Sequence, residues 1–149
     1  MQLNYWAPHV TVAAIIHREG KFLLVEENSN GEKVLNQPAG HLENNESLFN
    51  AVRRETLEET RWEFNPLFIS GIYRWIHDNG DTYLRICFVG EAVTEHKELK
   101  LDTGIIRAVW LTEKEIRKQT NLRSPLVLKS IEDYLSGHKF PLSLVQDIE

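Results

Sequence analysis

Gly40 to Glu59 constrains this chain more than any other stretch. It reads Gly-His-Leu-Glu-Asn-Asn-Glu-Ser-Leu-Phe-Asn-Ala-Val-Arg-Arg-Glu-Thr-Leu-Glu-Glu. A glycine turn leads into a helical pattern that ends in Glu55, Glu58 and Glu59. Each helical residue advances by about 100°. Leu48, Val52, Glu55 and Glu59 therefore share one stripe, spaced i, i+4, i+7, i+11. The stripe begins apolar and turns acidic, so Glu55 and Glu59 occupy positions where periodicity places core. Glu58 neighbours Glu55 at i+3. Half-buried, unpaired carboxylates are costly, and clustered ones repel until one holds its proton. A hard divalent cation removes both problems, because Mg²⁺ and Mn²⁺ favour carboxylate oxygen and water. The alternative is an ordinary solvated acidic face.

The rest of the chain sets the frame. At 149 residues with 42% hydrophobic residues it is expected to form one domain, 1–149, with a real core. There is no Pro/Gly/Ser-rich linker, charge block, internal repeat or low-complexity stretch. No apolar run is long enough for a membrane span. The opening Met1-Gln2-Leu3-Asn4-Tyr5-Trp6 lacks the charged and apolar regions of a signal peptide. Cys87 is the only cysteine, so no intrachain disulfide forms. Together these features point to a cytoplasmic protein. A net charge of −5 argues against a nucleic-acid or membrane-surface partner. His9, His17, His77, His96 and His138 show no tight metal spacing and read as ordinary.

Strands are expected over Val10 to Ile16, Lys21 to Glu26 and, briefly, Val34 to Gln37, followed by a Pro38-Ala39-Gly40 turn. Turns are expected at Arg18-Glu19-Gly20 and Asn28 to Gly31. Asn44 or Asn45 is expected to cap a helix running to about Thr60. Phe64 to Ile76 reads as a strand with a bulge at Ser70-Gly71. Asp78-Asn79-Gly80 signals a hairpin into Thr82 to Ala92. A short strand at Ala108 to Leu111 precedes a helix capped by Thr112. Ser124-Pro125 opens a last helix that stops near Ser136-Gly137. Long hairpins outnumber βα repeats, which favours a mixed sheet covered by two helices over a doubly wound parallel fold.

The spacing is more specific than the composition. Five residues separate Gly40 from Glu46, seven separate Glu46 from Arg54-Glu55, and Glu58-Glu59 follow. Over residues 40–62 this resembles the Nudix box, with every charged position and the first glycine in place. Two positions depart: Thr56 replaces an aliphatic residue, and Arg61 replaces the second glycine, ahead of Trp62. That glycine normally ends the helix in a left-handed conformation, which costs a non-glycine residue about 1–2 kcal/mol. The helix exit is therefore expected to differ from the family pattern. His9-Val10-Thr11-Val12, Asn36 to His41 and Asn121 to Leu126 further resemble the NudJ phosphatase subgroup.

The resemblance implies an α/β (α+β type) Nudix fold, a curved mixed β-sheet sandwiched between helices. It also implies Mg²⁺-dependent (or Mn²⁺-dependent) hydrolysis of phosphoanhydrides in nucleoside tri- and diphosphates and pyrophosphorylated thiamine-type compounds, with release of orthophosphate. In that scheme Glu55, Glu59 and Glu58 hold the metal with the Gly40 carbonyl. A Glu46–Arg54 pair holds the loop against the helix and aims Glu55. The general base is Glu58 or a loop acid, with Asp102 ahead of Glu95 and Glu98. Arg74, Arg85 and Arg123 are candidates for phosphate, Trp75 and Tyr73 for stacking on a ring, and His41 for a hydrogen bond to phosphate. The expected partner is a small nucleotide or thiamine pyrophosphate, and the expected assembly a monomer or weak homodimer. Three other readings remain: a pyrophosphohydrolase of dinucleoside polyphosphates, ADP-ribose or nucleotide sugars; a non-catalytic nucleotide-binding module; and an RNA end-processing enzyme, which the acidic balance disfavours.

Overall fold

Residues 5–149 are described by a computed structural model. The reading of Met1–Asn4 lies outside them. The chain order is β1 (His9–Arg18), β2 (Lys21–Ser29), β3 (Glu32–Asn36), β4 (Ala39–His41), α1 (Leu48–Thr60), β5 (Trp62–Ile76), β6 (Thr82–Glu95), β7 (Ile105–Thr112), α2 (Glu113–Arg117) and α3 (Pro125–Leu135), then a 3-10 turn at Leu142–Leu144. The expected elements all form. The Pro38-Ala39-Gly40 turn is the exception, because Ala39 and Gly40 pair with β1 as strand β4.

The sheet is mixed, as the hairpin-rich pattern implies. Its path runs β3-β2-β1-β6-β5, with β4 on β1 and β7 on β2. Only β1 and β6 run parallel, from His9↔Tyr83 to Ile16↔Gly90. The other pairs are antiparallel hairpins or neighbours. The turn at Asn30-Gly31 joins β2 to β3 with both residues at positive φ, the conformation that a tight two-residue hairpin demands. β5 is an edge strand, which is where Pro66 is tolerated. Its register against β6 slips at Pro66/Phe68 and again at Ile69/Gly71, where the bulge is expected.

Alternation along β1 builds two cores. Val12, Ala14 and Ile16 face α1 and pack with Ala51, Val52 and Phe88. Ile15 faces the other way and packs with Ile116 of α2 and Ile131 of α3. Burying one such side chain contributes about 1.5–3 kcal/mol. The result is a sheet between helices, with the short expected helix α2, capped by Thr112, packing beside α3.

Two helix ends differ from expectation. Ser47, not Asn44 or Asn45, caps α1, its hydroxyl accepting from the Asn50 amide at 3.0 Å. Asn45 instead takes φ 62° in the preceding turn, a left-handed position that asparagine tolerates. At the other end Arg61 keeps the glycine conformation, with φ 66°, and its amide donates to the Leu57 carbonyl. The exit is unchanged in shape. The cost of about 1–2 kcal/mol is within what one buried Val52 side chain offsets.

Candidate active site

Arg54 sits at the centre of the box. Its Nε and Nη2 donate to the two carboxylate oxygens of Glu46 at 2.6 and 3.0 Å. Nη1 reaches Glu55 at 2.9 Å and Glu58 at 3.2 Å, and Nη2 also reaches the His41 carbonyl at 3.2 Å. The Arg54 and Glu46 side chains are only 23% and 14% exposed. A forked, half-buried contact of this kind is stronger and more directional than a surface pair. The arginine holds the Glu46 carboxyl below the usual carboxylate range. The loop is thus tied to α1 and Arg54 contacts Glu55, the pairing that the family resemblance implies.

The acidic stripe is buried as periodicity requires. Glu55 and Glu59 are 9% and 7% exposed. Burial raises the carboxyl pKa of both. Burial alone accounts for most of the rise at Glu59, which is pushed up to about 9, with the charges of Glu55, Glu27 and Asp102 adding to it. The Ala39 amide donates to Glu59 at 2.9 Å, a single partial compensation. A Cβ at position 40 would collide with the Glu55 carboxyl group, so only glycine lets β4 approach this closely. The Asp102 amide donates to the Glu58 carbonyl at 2.9 Å and moors its loop on α1.

Among the described residues, no three carboxylate, imidazole or thiol donors already converge on one point. The donor set nevertheless fits a hard divalent cation: two buried carboxylates lack a full complement of partners, a third, Glu58, is half exposed beside them, and a bare glycine backbone faces them. Glu58 is at present turned to Arg54.

A cleft of about 290 Å³ is bordered by β4. It brings together Gly40, His41, Trp75, Arg85 and Arg123. Arg74 is not among them. It is exposed on the opposite face of β5, because alternation turns it away from its neighbours Tyr73 and Trp75. Tyr73 does not reach the cleft either; its hydroxyl donates to Asp133 of α3 at 2.7 Å and anchors that helix. Glu98 is engaged by His96 at 3.2 Å, and Glu95 lies 3.9 Å from Lys97. Burial and the neighbouring His9 lower the pKa of His41, whose ring lies 3.0 Å from that of His9.

Sequence reasoning missed Glu27, Asn36 and Tyr83, all of which line the cleft. Glu27 lies at the end of the apolar run of β2, where the register shifts between Glu26 and Glu27. A bulge breaks the two-residue period, so alternation gives no sign of which glutamate faces inward. Glu27 pairs with Arg123 at 3.2 Å, and Glu26 lies 3.5 Å from Arg107.

Comparison with known proteins agrees with this geometry. The NUDIX domain model matches residues 7–130. Phosphatase NudJ of Shigella boydii serotype 4 is 44% identical over 140 residues, covering 94% of this chain and 92% of its own. Phosphatase NudJ of Escherichia coli K12 is 43% identical over the same shares. The solved NUDIX hydrolase from Nitrosomonas europaea superposes with a TM-score of 0.93 at 50% identity, covering 95% of this chain and 98% of that one. With a family model over most of its length and relatives above 40% identity, the chain is a member of the Nudix hydrolase family.

Proposed function

We propose that this chain is a Mg²⁺-dependent phosphoanhydride hydrolase that releases orthophosphate from nucleoside tri- and diphosphates and from pyrophosphorylated thiamine-type compounds. One observation carries the reading: the carboxylates of α1 press on Ala39 and Gly40 of β4, and those same residues line the cleft that holds Arg85 and Arg123. A diphosphate lying over β4 would meet both acid-bound cation and guanidinium. The phosphatase relatives support orthophosphate as product.

Glu55, Glu58 and Glu59 would hold Mg²⁺, or Mn²⁺, with the Gly40 carbonyl. Such an ion neutralises phosphate oxygens and lowers the pKa of water. Glu58 is our candidate general base. Its carboxylate is 41% exposed and oriented by Arg54, so an oxygen is free to take a proton from the attacking water. Asp102, exposed in the loop moored to Glu58, is the second candidate. Arg85 and Arg123 hold phosphate oxygens, and Trp75 offers a face for a ring. Arg54 orients the acids. Arg74 takes no part.

We take the protein to be cytoplasmic and a monomer or weak homodimer; no helix of the described residues is long and apolar enough to cross a membrane. The second reading is a pyrophosphohydrolase of dinucleoside polyphosphates, ADP-ribose or nucleotide sugars. A product panel separates the two, run with Mg²⁺, with chelator and with Glu58→Gln. Orthophosphate from nucleoside diphosphates or thiamine pyrophosphate, dependent on Mg²⁺ and on Glu58, is the expected result. Two phosphorylated fragments from a dinucleotide would favour the second reading. Tight binding with no turnover would reduce the chain to a binding module.

A further inference from the structure

Arg85 is 7% exposed, yet among the described residues no carboxylate lies within ion-pair distance of it. Its one hydrogen bond runs from Nη1 to the Gln37 amide oxygen at 3.4 Å, and its buried Nε has no partner. Burial lowers the pKa of its guanidinium. A buried, uncompensated cation is as costly as a buried, uncompensated acid, and this one lines the cleft. Arg123 lines the same cleft directly before Ser124, the cap of α3, but its guanidinium is spoken for: Glu27 accepts from it at 3.2 Å. The α3 amides are likewise used, since Leu126 donates to the Ser124 hydroxyl and Val127 to the Ser124 carbonyl. Only the side chains and the helix dipole are left to receive an anion.

We propose that Arg85 and Arg123 form a metal-independent seat for a terminal phosphate, and that Glu27 is its latch, holding Arg123 until a phosphate displaces it. This rests on the hydrolase reading and narrows its substrate class. Arg85 is the more buried of the two arginines that line the cleft, so the free end of a substrate reaches it more readily than a phosphate substituted on both sides. Displacing Glu27 from Arg123 requires an anion that outcompetes a carboxylate. A terminal phosphate carries up to two charges and three free oxygens; a bridging phosphate, substituted at both ends, carries one. The seat therefore selects diphosphates that end in a free phosphate over those closed by a second group.

The test is inorganic phosphate binding in chelator, by calorimetry, to the full chain and to its variants. Wild type and Glu58→Gln are expected to bind alike. Arg123→Gln and Arg85→Gln are expected to bind about tenfold more weakly, the loss of one charge-assisted contact. Glu27→Gln is expected to bind more tightly than wild type, and the gain to disappear when Arg123→Gln is added, whereas a Glu27 that acts only by its charge would give the same gain with or without Arg123. Diadenosine diphosphate, closed at both ends, is expected to show no such gain. No phosphate binding in chelator, no effect of Arg123→Gln, or weaker or unchanged binding in Glu27→Gln would each overturn the seat. If Arg85→Gln does not fold, the Arg123 and Glu27 variants still decide. Because these titrations contain no Mg²⁺ and no turnover, their failure is distinct from failure of the hydrolase reading, which rests on Mg²⁺-dependent orthophosphate release.

Discussion

At the scale of single residues, Glu59 has the most measurable consequence. The folded protein keeps its proton between the ordinary value of 4.5 and about 9, a window in which the unfolded chain has released it. The native state binds more protons there, so the stability of the metal-free protein falls as pH rises through that window. Thermal melts in chelator from pH 5 to 9 are expected to show this fall, and excess Mg²⁺ to flatten it. Glu59→Gln keeps an acceptor for the Ala39 amide and removes the cost of holding a proton that the unfolded chain releases. It is expected to raise the melting temperature of the metal-free protein at pH 8 while abolishing the gain from Mg²⁺. Arg54 makes the complementary case. Lysine keeps the charge but not the fork that grips Glu46 and reaches Glu55 and Glu58. Arg54→Lys is expected to lower Mg²⁺ affinity or activity by about 10–100-fold, the usual penalty for losing the orientation of a ligand, as read from the Mg²⁺ dependence of turnover.

At the scale of elements, helix α1 tests its own boundaries. Ser47→Ala removes the N-cap and is expected to cost about 1 kcal/mol in denaturant unfolding, while Asn44→Ala is expected to change little. Arg61→Gly relieves the left-handed strain and is expected to stabilise by about 1 kcal/mol, the strain less the added freedom of the unfolded chain. What was legible in the sequence follows the same boundaries. The strands of β1 and β2, the bulge of β5 and the caps of α2 and α3 were readable because period and turn chemistry agreed there. The cap of α1 was not: Asn44 or Asn45 was expected there and Ser47 takes the position, because backbone angles, not side-chain type, choose among neighbouring capping residues. The burial of Glu55 and Glu59 was legible from periodicity, whereas Arg54 stood out only through the family resemblance. Arg85, Trp75 and Arg123 were legible as residue types and became a set only once β6, β5 and the start of α3 converged. Arg74 and Glu27 went astray for different reasons: Arg74 was grouped with Trp75 although adjacent strand residues face opposite ways, and Glu27 sits at a register shift that hides its face.

At the scale of the whole molecule, Cys87 lies fully buried on the central strand β6, and burial pushes its thiol up to about 11. Local motion does not expose it, since strands flank β6 on both sides and the Tyr73–Asp133 bond ties the sheet edge to α3. A thiol reagent is therefore expected to modify it at the rate of global opening. A ligand at one hundred times its dissociation constant stabilises by about 2.7 kcal/mol, so Mg²⁺ with a bound diphosphate is expected to slow the reaction about 100-fold. Reaction at the rate of a free thiol would mean that the two cores open independently.

The left-handed arginine at the end of α1 carries a lesson for how such chains are found. A search pattern spelled in residue letters demands glycine at position 61 and scores this chain as a mismatch. The backbone there is the one the letter stands for. A pattern spelled in conformation, allowing any residue whose strain a well-packed helix can absorb, would collect relatives that the letter excludes.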